Sequence, residues 1–125
     1  MKKLLYVLSV IFFSISLTAC VSEFDGSRKG NDSEFIMEYK MLNTTDSQDL
    51  KLEAGDTINA KIGVDSGNLS IKIQKDDEQP VYEGDDISAS DEFGVAIEKS
   101  GTYTISVTGK KTKGSISFTT EARKQ

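Results

Sequence analysis

Between residues 57 and 73 the chain alternates apolar and polar side chains almost without a break, and a period of two commits it to β structure. Ile58, Ala60, Ile62 and Val64 fall on one face, with Asn59, Lys61 and Gly63 on the other. After Asp65-Ser66-Gly67-Asn68 the alternation resumes at Leu69, Ile71 and Ile73. A helix, with its period of 3.6, would scatter these residues around its circumference. The four intervening residues are turn formers, and Gly67 is free to take a positive φ. Read as a hairpin loop, they set Val64 against Leu69, Ile62 against Ile71 and Ala60 against Ile73. Every apolar residue then meets an apolar partner. A slip of one residue would carry Ser70 and Lys72 into the core, which fixes the register.

The same period runs through the chain from residue 34 to residue 120. Phe35, Met37, Tyr39 and Met41 alternate with Glu34, Glu38 and Lys40. Leu50 and Leu52 alternate with Asp49, Lys51 and Glu53, and residues 53–56 form a turn. Pro80-Val81-Tyr82-Glu83 is a short edge strand, because proline brings no N–H to a ladder. Residues 84–91 are a polar connection, after which Phe93, Val95 and Ile97 alternate again. Tyr103, Ile105 and Val107 face inward, with Thr102, Thr104, Ser106 and Thr108 outward; Ile116 and Phe118 face inward on the return. Pairing Gly109 with Gly114 makes residues 110–113 a second hairpin tip and sets Val107 against Ile116. Eight candidate strands with turns between them, and no stretch of helical period, predict an all-β fold. It is a small antiparallel two-sheet β-sandwich, jelly-roll-like in topology.

The first twenty residues carry a different message. Lys2 and Lys3 precede an apolar run over residues 4–17, interrupted only by Tyr6, Ser9, Ser14 and Ser16. It is flanked as a signal peptide is, and it is short for a spanning helix of ~20 residues. The run ends in Leu17-Thr18-Ala19-Cys20, which resembles the lipobox of bacterial lipoproteins. The resemblance implies that the Cys20 thiol is diacylated, palmitate being a typical chain, and that the chain is cut before it. The protein would then sit on the extracytoplasmic face of the cell membrane, anchored by lipid. The expected organisation is a signal peptide over 1–19 and a lipidated N-terminus with a flexible tether over 20–33. A sandwich domain over 34–121 and a C-terminal tail over 122–125 follow. The tether is expected from the Ser, Gly, Asp and Asn of residues 21–33.

The closing stretch adds a second resemblance. Ser100-Gly101-Thr102-Tyr103-Thr104-Ile105-Ser106-Val107 and Gly109-Lys110-Lys111-Thr112-Lys113-Gly114-Ser115-Ile116-Ser117-Phe118 are similar to the C-terminal hairpin of small lipoproteins of Gram-positive bacteria. The Gly55-Asp56-Thr57-Ile58 and Ser66-Gly67-Asn68-Leu69 turns are similar too. There is a looser similarity to the GOLD domain, a β-sandwich of protein–protein contacts. Every matching residue is a core or turn residue, so these resemblances imply a fold and no site.

Composition narrows the chemistry. Loss of residues 1–19 removes Lys2 and Lys3 and no acid, taking the formal charge from −5 to −7. An acidic domain is a poor partner for nucleic acid. Cys20, the only cysteine, is consumed by the anchor, and there is no His. The usual nucleophile-and-base pairs therefore lack a base, and the chain reads as no enzyme. No cofactor is expected, and no metal site. The acidic stretch Asp76, Asp77, Glu78, Glu83, Asp85, Asp86, Asp91 and Glu92 offers carboxylates for calcium but lacks the spacing of an EF-hand loop. Tyr39, Tyr82 and Tyr103 offer rings for sugar stacking, yet alternation turns Tyr39 and Tyr103 into the core. Lys110, Lys111 and Lys113 make a local basic spot, the one candidate binding site. These residues point to a non-enzymatic binding or accessory module for an envelope protein. A binder of wall polymer or carbohydrate is the alternative, and a protective or immunity-type lipoprotein a third reading.

Overall fold

The computed structural model describes residues 23–122, all of them strand or connection, with no helix among them. The lipobox and Cys20 lie outside the described residues. Seven strands follow in order: β1 (Phe24–Asn31), β2 (Glu34–Leu42), β3 (Thr45–Leu52), β4 (Thr57–Lys75), β5 (Tyr82–Ile87), β6 (Asp91–Ala96) and β7 (Gly101–Glu121). All pairings are antiparallel.

β4 and β7 organise the rest. They pair with each other from Thr57↔Glu121 to Lys75↔Tyr103. The far end of β7 also pairs with β2, and β2 with β1, while the near end of β4 pairs with β6; this is sheet I. The near end of β7 pairs with β3, and the far end of β4 with β5; this is sheet II. The two sheets are joined where β4 and β7 bend together, and they close on one core of 19 buried apolar residues. The result is an all-β, two-sheet antiparallel sandwich.

Both expected hairpins are corrected. Residues 57–75 form one continuous strand, and so do residues 101–121. Val64 lies opposite Gly114 rather than Leu69, Ile62 opposite Ile116, and Ala60 opposite Phe118. Leu69 lies opposite Gly109, Ile71 opposite Val107 and Ile73 opposite Ile105. Asp65-Ser66-Gly67-Asn68 is therefore a bulged elbow in a strand, and residues 110–113 are its counterpart. The parity of the buried positions switches from even to odd across the β4 elbow and from odd to even across the β7 elbow. A hairpin loop and a bulged elbow produce that same switch in sequence. Two strands that switch in complementary fashion can nest along their whole length, and that pairing prevails over two local hairpins.

Glycine makes the nesting possible. Gly67 has φ of 75°, a left-handed turn of the chain at the elbow. Gly114, at φ 155°, brings β7 so close to β4 that an added Cβ would meet the carbonyl oxygen of Gly63. Gly114→Ala is expected to cost about 2 kcal/mol, because the new atom meets backbone and the conformation disfavours L side chains. A urea midpoint unchanged from the parent would contradict it.

Three further expectations change, the first being that β5 takes in residues 84–87 of the expected connection and leaves out Pro80 and Val81. Residues 24–31 of the expected tether form β1, an exposed strand laddered onto β2. Its sequence has no alternating apolar face because it covers the sheet edge with only Phe24 packed against the core. Met41 gives up its expected core place to Leu42, since the ladder between β2 and β7 shifts between Tyr39 and Leu42. The other inward faces are as expected, with Phe35, Met37, Tyr39, Leu50, Leu52, Val95, Ile97, Tyr103, Ile105, Val107, Ile116 and Phe118 all buried.

Candidate functional site

The sandwich has two open sides, where the edges of sheet I and sheet II face each other, and they differ. On one side β1 faces β3. There the inward positions of β3 are polar, Asp46 and Gln48, and Arg28 of β1 reaches across to them. Its Nε donates to Asp46 Oδ2 at 2.8 Å, and its terminal nitrogen donates to the Ser47 carbonyl at 2.8 Å and Gln48 Oε1 at 3.1 Å. The guanidinium also lies 4.9 Å from the Phe35 ring centroid. A backbone bond from Lys51 N to Asp32 O, 2.8 Å, closes the same side. Arg28 is the residue that reading the sequence missed. Its signal was weak, one cation in a stretch of tether-like composition.

On the opposite side, among the described residues, β5 and β6 each pair only with β4. Stacked rings of Tyr82 and Phe93, 4.5 Å apart, plug the space between the sheets. Among the described residues no hydrogen bond joins β5 to β6. Beside this open side is a groove of about 380 Å³ whose lining includes Val81, Ala96, Tyr103 and Lys99. The Tyr103 hydroxyl donates to the Lys99 carbonyl at 2.6 Å, fixing the ring as one wall. Lys75 is 18% exposed and pairs with Glu78 at 3.1 Å and Asp76 at 3.3 Å. These hydrogen bonds, that of Glu78 first, raise its pKa. Glu78 also takes Lys99 at 3.3 Å, and its carboxyl is held below the usual range by Lys75 first and Lys99 second. The cations at the groove are thus matched by local acids.

The acids singled out in the sequence do not converge. Glu92 pairs with Lys61 at 3.3 Å, and Asp86 lies 4.0 Å from Lys110. Among the described residues no group of three acids is placed to hold a metal ion.

The basic spot is not a hairpin tip. Lys110, Lys111 and Lys113 are exposed on the β7 elbow, with buried Thr112 between them. Thr112 Oγ1 accepts from Lys110 N at 3.0 Å and donates to the Asn68 carbonyl at 2.5 Å, stapling the two elbows together. Lys111 N donates to Asn43 Oδ1 at 3.1 Å. Lys113 flanks a shallow groove of about 450 Å³ on the outer face of sheet I, near Lys40, Glu38 and Asp65. The structure therefore places the three lysines on one exposed bend without gathering them around a common point.

Of the tyrosines, Tyr39 and Tyr103 are core residues and Tyr82 is half-buried. The Tyr39 hydroxyl is buried and has no hydrogen-bond partner among the described residues, and desolvation pushes its pKa up to about 12. A folded-state pKa above the unfolded value of about 10 stabilises the fold below pH 10, and that contribution is lost as pH rises toward 12. Across that window the parent is expected to lose roughly 1 kcal/mol per pH unit more than Tyr39→Phe. Near neutral pH the variant is expected to be about 1 kcal/mol more stable, since the unsatisfied hydroxyl is gone. Urea unfolding of both at pH 7 and pH 11 checks both statements.

No family model matches the chain, and no curated protein does. Among solved structures it is similar to PliG of Aeromonas hydrophila, a periplasmic lysozyme inhibitor of g-type lysozyme. The identity is 19% over 78% of this chain and 88% of that one, with a TM-score of 0.48. It is also similar to a structure described as CBM4, at 15% identity over 82% of this chain and 77% of that one, with a TM-score of 0.41. At these values the likeness says nothing about what this chain binds.

Proposed function

We propose that the chain is a non-enzymatic binding module for an envelope protein, held by lipid on Cys20 at the extracytoplasmic face of a bacterial cell membrane. The observation that supports this reading is the inequality of the two open sides. Arg28 and a backbone bond bridge the strand edges of one, while among the described residues no hydrogen bond joins the strand edges of the other, which has a groove beside it. Unpaired strand edges are a hazard that sandwiches cover unless they are put to use. A protein partner is the occupant that suits a broad edge of this kind.

Cross-linking on intact cells, with affinity capture of the lipidated protein and mass spectrometry, tests the reading. The expected result is one reproducible envelope protein in stoichiometric amount. No protein above background would overturn it.

Exposure of Lys110, Lys111 and Lys113 on the β7 elbow favours a second reading, a wall-polymer binder that meets phosphate groups with lysine. In that case binding to purified wall falls with added salt and is lost in a triple Lys→Gln variant.

A further inference from the structure

We infer that the open edge of β6 is a strand-addition site for a basic, extended segment of a partner protein. This rests on the reading of the chain as a protein-binding module and names the partner's chemistry.

The backbone sets the site. Ile97 donates to the Asp56 carbonyl at 2.9 Å and accepts from Gly55 N at 2.8 Å, so its peptide groups turn toward β4. Direction alternates along a strand, so Ala96, Gly94 and Glu92 turn their N–H and C=O groups to the open side. All three are exposed, while Phe93 and Val95 point into the sandwich. An incoming strand would therefore find a row of free donors and acceptors with small side chains at two of its three positions. Main-chain bonds of this kind give affinity, and pockets for alternate side chains give selectivity. The groove at the end of β6 offers such a pocket, with Ala96, Tyr103 and Val81 on its walls. Val81, 45% exposed, is the one large apolar side chain standing in solvent among the described residues.

Charge selects the occupant. Residues 76–98 contain nine of the chain's 20 acids and neither Lys nor Arg. Among the described residues Asp91 and Glu98 enter no ion pair, and Glu92 meets only the exposed Lys61. A second copy offering the same edge would set like charges against each other, which is destabilising. A strand with Lys or Arg at alternate positions would set opposite charges there.

The test uses the full chain in detergent and a labelled peptide, acetyl-Lys-Val-Lys-Val-Lys-Val-Lys-amide. The same peptide N-methylated at every backbone amide keeps the charge but cannot join a sheet. The plain peptide is expected to bind and to move the amide resonances of Glu92, Gly94 and Ala96. The methylated peptide should bind about tenfold more weakly or worse, and so should the plain peptide to Glu92→Lys. Glu38→Lys, on the outer face of sheet I, changes net charge equally and should bind as the parent does. Equal binding of the two peptides, equal loss in both variants, or resonance shifts confined to another face would overturn the inference. So would dimerisation of the free chain through β6. If the peptide fails at this edge while intact-cell cross-linking still captures an envelope protein, only this inference falls. If cross-linking captures nothing, the reading beneath it falls as well.

Discussion

A Cys20→Ala variant grown with a palmitate analogue is expected to take up no label, where the parent chain is labelled. The thiol is the only side chain of its kind in the sequence, so loss of the label is all or none. Each buried CH₂ of an acyl chain contributes about 0.8 kcal/mol, so two long chains would hold the domain on a bilayer almost permanently. The label, rather than fractionation, is the decisive readout. An uncut apolar run over residues 4–17 would keep the variant at the membrane without any lipid. Equal labelling of variant and parent would remove the anchor from the account and leave residues 1–19 as an ordinary secretory signal.

Phe118→Ala is expected to cost about 3–5 kcal/mol, the range for a buried aromatic truncated in a core. Phe118 is fully buried on β7. Its row across sheet I runs Phe35, Phe118, Ala60, Phe93, three rings with one small residue between the second and third. The Phe35 and Phe118 rings lie 6.4 Å apart, inclined by 23°. Removing the Phe118 ring opens a cavity beside Phe35 and against sheet II, bounded by backbone that is laddered on both sides and cannot collapse. Domains of this size have a total stability of about 5–15 kcal/mol, so the variant loses a large share of it. Urea unfolding should show a much lower midpoint with an unchanged slope. Phe118→Leu, which keeps most of the volume, should lose less than about 1.5 kcal/mol. Two variants with equal midpoints would mean that the site collapses freely and that the row is not packed as described.

Side-chain alternation made the strands and their inward faces legible, because burial on one face of a pleat leaves a period of two. It could not separate a loop from an elbow. Val64 and Leu69 flank four turn-forming residues, and both readings place Gly67 at positive φ. The difference depends on whether β4 finds a partner in itself or in β7, 28 to 64 residues further along, and that is a property of the whole fold. β1 was hidden for another reason. Its residues are exposed apart from half-buried Phe24, so nothing in their composition records the ladder to β2. Arg28 is intelligible only once Asp46 and Gln48 are seen on the inward side of β3. The open edge of β6 was hidden in the same way, since an unpaired edge and a central strand share the same alternation. The three lysines were legible as exposed residues, but their setting on an elbow rather than a tip was not.

The position of β7 has a consequence for how the molecule is made. It is the last strand among the described residues, and β2, β3 and β4 all pair with it. A polypeptide that emerges N-terminus first therefore exposes β2, β3 and the whole of β4 before the segment that joins them appears. β5 and β6 can ladder onto β4 in the interval, but its apolar face stays uncovered until β7 completes both sheets. Contacts of such long sequence separation fold slowly and leave sticky intermediates. A chaperone that holds the emerging chain, or synthesis fast enough to deliver residues 101–121 promptly, would bear on the yield of folded protein.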